Sequence, residues 1–464
     1  MPTKLLLSTV LFVEALVIYF AVAKQSPMSG DDYSYLYQAR LFAAGKLYAQ
    51  DPLYDSASAL HDCVETNCLN DFHGRRFSQY PPGWPAILAI GAALGVPWAI
   101  DPFLGALLVF LMLWYVERKM GNRWVVVTWL LITLCFFFAY YAASTRAHIS
   151  TALFVFAAFL SYEAAEQRAS GVPSLLFIAG AFLGYSSMIR YIDWVPLGLW
   201  IGFSLLRRKN LIGLALFMVG FTLLASGNLL YDASIFGNPF QLPTTVNNSP
   251  SGTANRLMVS WTGLKVTGVR LIGVAWSFPP VILLGLFYRR YRPSPKVRMY
   301  VALFLMNVGV YYFYTASSGG PGPRYLLAYF PFLVLAVVDL CRWIEEEGNP
   351  NARFLWWIGI VCLLVGNLVF ATVEGYRIYS RCDLVRTLQQ TGPGEKIVLL
   401  KTGAYQTKAS DLTRNPPDLA AAPILYFSWC TQNQRDVLLK RFPGRKIFVY
   451  EYPSHLHPYL PLND

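Results

Sequence analysis

Apolar runs long enough to cross about 30 Å of hydrocarbon recur along the chain from residue 5 to residue 373, parted by short polar stretches. The pattern predicts eleven membrane-spanning helices. They run from Leu5 to Ala23 and then near 102–116, 124–142, 149–165, 173–189, 194–206, 211–229, 268–287, 299–316, 325–341 and 354–373. The first run exceeds the ~7 to 15 residues of a signal core and has no A-x-A cleavage pattern, so it reads as a retained span. The run from Trp84 to Ile100 is broken by Pro85, Gly91, Gly95 and Pro97. Its stretch up to Pro97 reaches only about 20 Å as a helix. It is read as a juxtamembrane or re-entrant helix.

Charge supports that choice, because the side with retained loops collects lysine and arginine. With 84–97 not crossing, Lys4, Arg118, Lys119, Arg123, the triplet Arg207, Arg208, Lys209, and Arg289, Arg290, Arg292, Lys296 and Arg298 all fall inside. Outside lie the loop 24–82, the turns near 143–148, 190–193 and 317–324, the loop 230–267 and the tail. A crossing at 84–97 would put the clusters from Arg118 onward on the wrong side.

From Glu374 the material changes, with turn signals at Gly392-Pro393-Gly394, Pro416-Pro417 and Pro443-Gly444. Lys396 to Lys401 and Lys446 to Tyr452 read as strands and Gln434 to Arg441 as a helix between them. The expected fold class is therefore an all-α polytopic membrane domain, 1–373, followed by a small extracytoplasmic α/β cap, 374–464. No internal repeat and no low-complexity segment stands out.

Composition agrees: 55% of residues are hydrophobic, 16% aromatic and 14% charged, with a mean hydropathy of +0.40, against ~25% charged residues in soluble domains. A soluble enzyme is excluded. The net charge of +12 sits between spans and forms no basic stripe on a soluble domain, so nucleic acid is not the expected partner. The chain has no phosphate-cradling glycine loop, nucleophile elbow, H-E-x-x-H or nucleotide-binding motif. Gly319-Gly320-Pro321-Gly322-Pro323 reads chiefly as a rigid connector.

The cysteines suit an oxidising exterior: Cys63 and Cys68 in the first outer loop, and Cys382 and Cys430 in the tail, are disulfide candidates. With His61 and His73 nearby, the C-x4-C pair admits zinc as the lesser alternative.

Candidate chemistry begins at Asp31 and Asp32, a few residues beyond the first span, on a stretch from Ser29 to Gly45 that reads as an amphipathic helix lying on the membrane and closed by glycine. On the plain structural reading, Asp31 is the N-cap and Asp32 a first-turn acid favoured by the helix dipole. On the functional reading, paired acids at headgroup depth orient or deprotonate an acceptor hydroxyl, or hold a divalent cation.

The segment Gly30-Asp31-Asp32-Tyr33 after a first span, followed by Phe77-Ser78-Gln79-Tyr80-Pro81-Pro82-Gly83-Trp84, resembles the GT-C superfamily of polyprenyl-phosphate-dependent glycosyltransferases. Within it the chain is similar to the bacterial branch of protein O-mannosyltransferase-like enzymes and lipid A aminoarabinose transferases. The stretch from Asn228 to Phe240 and Pro323-Arg324-Tyr325 carry the same likeness, which covers about residues 5–345.

The resemblance implies inverting sugar transfer from a polyprenyl-phosphate donor to a glycan, lipid or protein hydroxyl, at the outer face of a bacterial cytoplasmic membrane. It makes Asp31 or Asp32 the catalytic residue, with Mg²⁺ or Mn²⁺ as an optional cofactor held by Asp32. Relatives carry a second acid before the span beginning at Ile149; this chain has Ser144-Thr145-Arg146-Ala147-His148 there, which leaves His148 as substitute ligand or proton acceptor, or simply as a helix-start histidine.

A departing lipid phosphate needs fixed positive charge, which arginine supplies bidentately. Arg324, Arg190 and Arg146 lie at outer helix ends and are the donor-phosphate candidates; their alternatives are snorkelling or, for Arg190, pairing with Asp193. Arg75 and Arg76 either line the same cavity or face anionic lipid. Tyr33, Tyr37, Tyr80 and Trp84 are candidates for a sugar or isoprenoid groove, although aromatics gather at bilayer interfaces in any case. The rival functions are a non-catalytic membrane subunit with the same fold and a lipid or solute transporter.

Overall fold

The computed structural model describes the chain apart from residues 1, 52–67, 168–172, 247–260, 278–290, 315–321, 348–349, 390, 402–411, 452–454 and 459–464. Every predicted span meets a helix. In chain order these are α1 (Pro2–Val17, continued by a wider turn over Ile18–Val22), α4 (Ile100–Met120), α5 (Arg123–Thr133) with α6 (Phe136–Ala143), α7 (His148–Glu166), α8 (Pro173–Ile189), α9 (Val195–Arg207), α10 (Leu211–Phe236), α11 (Trp261–Ser277), α12 (Pro295–Tyr312), α13 (Phe330–Glu347) and α14 (Pro350–Arg381). Between α1 and α4 lie α2 (Gly30–Ala43) and α3 (Gly83–Ala93).

Among the described residues, six helices are long and apolar enough to cross a membrane, or seven if the α5–α6 pair, bent by 70°, is one span; α3, α8 and α9 are apolar but shorter. The α5–α6 break falls at Cys135, whose backbone is extended. There the Asn367 side-chain carbonyl accepts from the Phe136 N–H at 3.0 Å and satisfies one orphaned helix donor.

The two ends of the bundle differ as the charge pattern predicts. At one end Lys4 pairs with Glu117 at 2.5 Å, Lys119 with Glu163 at 3.1 Å and Arg123 with Glu345 at 3.0 Å, joined by Lys296–Glu163 and Arg208–Glu166. The acids and arginines of the predicted outer side gather at the other. Helices α8 and α10 run parallel and meet backbone to backbone: a Cβ on Gly180 would lie 2.0 Å from the Phe217 carbonyl oxygen, and one on Gly184 2.3 Å from that of Phe221. Small residues permit this approach. Gly180→Ala is expected to force the helices apart and lower stability by about 1–3 kcal/mol, the usual cost of overpacking, read as a drop in Tm of the purified protein.

The segment between α2 and α3 forms an antiparallel sheet of order β1-β3-β2 from β1 (Ala49–Gln50), β2 (Leu69–Phe72) and β3 (Arg75–Ser78). This sheet, α3 and a strap from the C-terminal region enclose α2, which is buried on nearly every side instead of lying on the membrane. Gly45, at φ +69°, closes it as predicted.

Helix α14 runs on to Arg381, so the cap begins beyond Glu374. After a short helix α15 (Asp383–Gln389), the cap holds β4 (Lys396–Lys401), β5 (Ile424–Ser428), α16 (Gln432–Arg441), β6 (Lys446–Glu451) and β7 (His455–Pro458), in sheet order β5-β4-β6-β7 with only β7 antiparallel. Two strands and the helix match the sequence reading; β5 and β7 are additional. Cys382 and Cys430 belong to different hydrophobic clusters and are not bonded to each other, which corrects that disulfide expectation. Cys63 and His61 lie outside the described residues. Cys68 and His73 sit at opposite ends of β2, so these two do not share a zinc site.

Candidate active site

Ser29, with extended backbone, caps α2 by accepting from the Asp32 N–H at 3.3 Å, so Ser29 and not Asp31 is the N-cap. This sends the two adjacent carboxylates in different directions. Asp32 points inward and is fully buried: one oxygen accepts from the Thr145 N–H at 2.8 Å and the Thr145 hydroxyl at 3.3 Å, the other from the Ser29 hydroxyl at 2.6 Å and Arg146 Nε at 3.0 Å. Those donors engage both oxygens of the carboxylate expected to hold a metal. Among the described residues, no three His, Cys, Asp or Glu side chains converge.

Asp31 points outward and its side chain is 24% exposed. It accepts from Arg324 Nη1 at 2.9 Å, from the Tyr80 hydroxyl at 2.6 Å and from the Cys68 thiol at 3.4 Å. Burial alone would raise its carboxyl, but the Arg324 and Arg146 guanidinium groups and the two side-chain donors outweigh it and hold the group at about 2. The tie between Asp31 and Arg324 carries a sign. Their attraction is fully present above the ordinary carboxylate range, near pH ~4, and is lost as pH falls through the depressed value of about 2. In Arg324→Gln the main cation is gone, so protonation of Asp31 is expected to begin at higher pH. Infrared difference spectra against Asp31→Asn would follow its protonated carboxyl band.

Arg324 stands over the Tyr325 ring at 4.7 Å and donates Nη2 to that hydroxyl at 2.8 Å. The same ring is approached by Arg190 at 5.2 Å and by Arg270 at 4.8 Å, so one aromatic ring gathers three guanidinium groups. Arg190 is paired with Asp193 at 2.8 Å, as the alternative reading had it, and donates to the Tyr311 hydroxyl at 2.9 Å. Arg190 Nη1 lies 3.0 Å from His148 Nδ1. A guanidinium can only donate, so His148 is a neutral acceptor there with its proton on Nε2, and Nδ1 is not open to a metal.

Arg270 donates to the carbonyls of Tyr311 at 2.5 Å and Tyr314 at 2.7 Å. It lies inside the apolar run 268–287 that reads as a span, and the signal that marks it is an arginine near the end of such a run. Arg146 is only 1% exposed, committed through Nε to Ser29 and Asp32, with Nη1 buried and unpartnered.

The aromatic candidates divide. Tyr80 belongs to the site, bonded to Asp31 and stacked on Tyr35 at 4.4 Å. Trp84 is wholly buried and donates to the Thr145 carbonyl at 2.7 Å, bracing the turn that holds Asp32, so it lines no groove. Tyr33 donates to the Asn415 carbonyl of the strap at 2.5 Å, and Tyr33 and Tyr37 border a cleft with Arg76 and Pro416 on the other flank of α2. Arg76 is held by Asp71 at 2.8 Å and Asp51 at 2.9 Å, and Arg75 donates to the Ile235 carbonyl at 2.8 Å, so neither is free to face lipid or the Asp31 site. Of the Gly319–Pro323 connector only Gly322 and Pro323 are described.

No family model matches the chain, and no curated protein matches it. Among solved structures it is similar to ArnT from Cupriavidus metallidurans bound to undecaprenyl phosphate, with a TM-score of 0.56 and 15% identity over 96% of this chain and 93% of that one. ArnT from the same organism in the apo state gives a TM-score of 0.55 at 15% identity, with the same coverage. The chain therefore has the GT-C fold of ArnT over nearly its whole length.

Proposed function

We propose that the protein transfers a sugar from a polyprenyl-phosphate donor to an acceptor hydroxyl on the outer face of a bacterial cytoplasmic membrane. The observation that carries this reading is the partly exposed Asp31 carboxylate 2.9 Å from Arg324, beside the guanidinium groups gathered on Tyr325. A structure of the same fold holds undecaprenyl phosphate, and a lipid phosphate is the ligand such a cluster suits.

In this reading the acceptor oxygen attacks the anomeric carbon from the face opposite the phosphate. The carbon–oxygen bond to phosphate breaks, the electron pair leaves with the polyprenyl phosphate, and the configuration inverts. The acceptor proton passes to Asp31. A carboxylate held at about 2 is a feeble base. Phosphate competing for Arg324 removes the cation that holds it there, so donor binding itself raises the basicity of Asp31. Arg324, Arg190 and Arg270 then meet the developing phosphate charge, while Arg146 acts through its field on Asp31 and not by contact. The side chains at Asp31 do not suit a metal, and no step passes through one.

The test is donor turnover by the purified protein in lipid nanodiscs, with labelled polyprenyl-phosphate sugars and an envelope glycolipid extract as acceptor. Release of polyprenyl phosphate with label moving to the acceptor is the expected result; no consumption of any donor sugar would overturn the reading.

A further inference from the structure

A second group of buried polar atoms lies away from Asp31, at the outer end of the α8–α10 contact. Asp232 is 1% exposed, and neither of its carboxylate oxygens has a hydrogen-bond partner. One helical turn earlier on the same face, Asn228 donates its amide to the Ser187 carbonyl at 3.2 Å and leaves its own side-chain oxygen buried and unpartnered. The hydroxyls of Tyr231 on α10, of Tyr191 in the turn after α8, and of Ser186 on α8 are likewise buried with no partner. Tyr191 and Tyr231 are both electrostatic neighbours of Asp232.

A carboxylate removed from water with no donor is costly, and hydroxyl donors stand near this one without bonding to it. A cation shared by the carboxylate and these oxygens would satisfy all of them at once. The set is all oxygen, with one carboxylate, one amide carbonyl and neutral hydroxyls. That excludes the soft ligands zinc favours and suits a hard ion accepting six to eight oxygens at about 2.3–2.6 Å.

We propose that Asp232, Asn228, Tyr191 and Tyr231, with Ser186 at the margin, form a binding site for a hard divalent cation of the calcium type. Its place in the fold gives it a role. Tyr231 and Ile235 pack on Phe77 of β3, the Tyr231 ring meets Phe42 at 6.0 Å, and the Ile235 carbonyl takes Arg75. A cation here clips the end of α10 to the loop that encloses α2. The inference does not rest on the sugar-transfer reading.

The test uses the full chain in nanodiscs, stripped with EDTA and titrated with Tb³⁺ under tyrosine excitation, then with Ca²⁺ or Mg²⁺ as competitor. Tyrosine-sensitised emission displaced by Ca²⁺, lost in Asp232→Asn and kept in Asp31→Asn, is the expected result. Asn228→Ala should weaken Ca²⁺ competition several-fold, and it decides the matter should Asp232→Asn fail to fold. Absence of Ca²⁺-displaceable emission, or emission unchanged in the variants, means a protonated carboxyl or buried water and overturns the proposal.

Discussion

Asp31→Asn is expected to yield a folded protein that consumes polyprenyl-phosphate sugar about 10² to 10⁴ times more slowly, the span over which a positioned base contributes. The side chain keeps its size and can still accept from Tyr80, so the local structure has little reason to change. What it loses is the charge facing Arg324. Two consequences should appear together. The rate falls because the acceptor proton has no destination, and binding of free undecaprenyl phosphate holds or tightens, because Arg324 no longer has a carboxylate to leave. Rates from the labelled-donor assay and affinities from titration with undecaprenyl phosphate separate the two. A variant with full turnover would remove Asp31 from the chemistry, and one with neither turnover nor phosphate binding would make it structural.

Much of this arrangement was legible in the chain because it rests on strong physical signals. Hydrocarbon thickness sets the length of the apolar runs, and each run met a helix. The inside-positive pattern put Asp31, Arg146, Arg190 and Arg324 at one end, where Asp31 meets Arg324 and Arg146 meets Asp32. What was illegible depends on direction and contact. Periodicity places Asp31 and Asp32 on one turn but does not say that Ser29 caps the helix and turns Asp32 inward. Trp84 looked like a surface aromatic because a tryptophan beside a span usually is one; only the fold shows its indole N–H spent on the Thr145 carbonyl. Arg270 was hidden by its apolar neighbours, and β5 of the cap by an alternation too weak to separate Ile424–Ser428 from the turns around it. Helix α2 was expected on the membrane surface because the loop segments that cover it give no sign, in sequence, of where they return.

Asp32→Ala should behave in the opposite way to the Asp31 variant, as a failure of folding before a failure of chemistry. Its carboxylate and Arg146 are each 1% exposed and 3.0 Å apart, and removing one partner of such a pair leaves a desolvated charge at a cost of about 3–5 kcal/mol. The Thr145 N–H loses its acceptor as well, and only the bond from the Thr145 hydroxyl to the Asp32 backbone carbonyl at 3.1 Å still ties the turn that starts α7. Against a total stability of roughly 5–15 kcal/mol, that is enough to lower the yield of folded protein and its Tm sharply. The control is the double variant Asp32→Ala with Arg146→Met, which removes the stranded charge along with its partner. If the pair is structural, the double variant is more stable than Asp32→Ala alone, and the coupling measured across the cycle is large and favourable. If Asp32 were instead an exposed participant in the reaction, Asp32→Ala would keep its Tm and lose only turnover, and the division of labour between the two acids would have to be reversed.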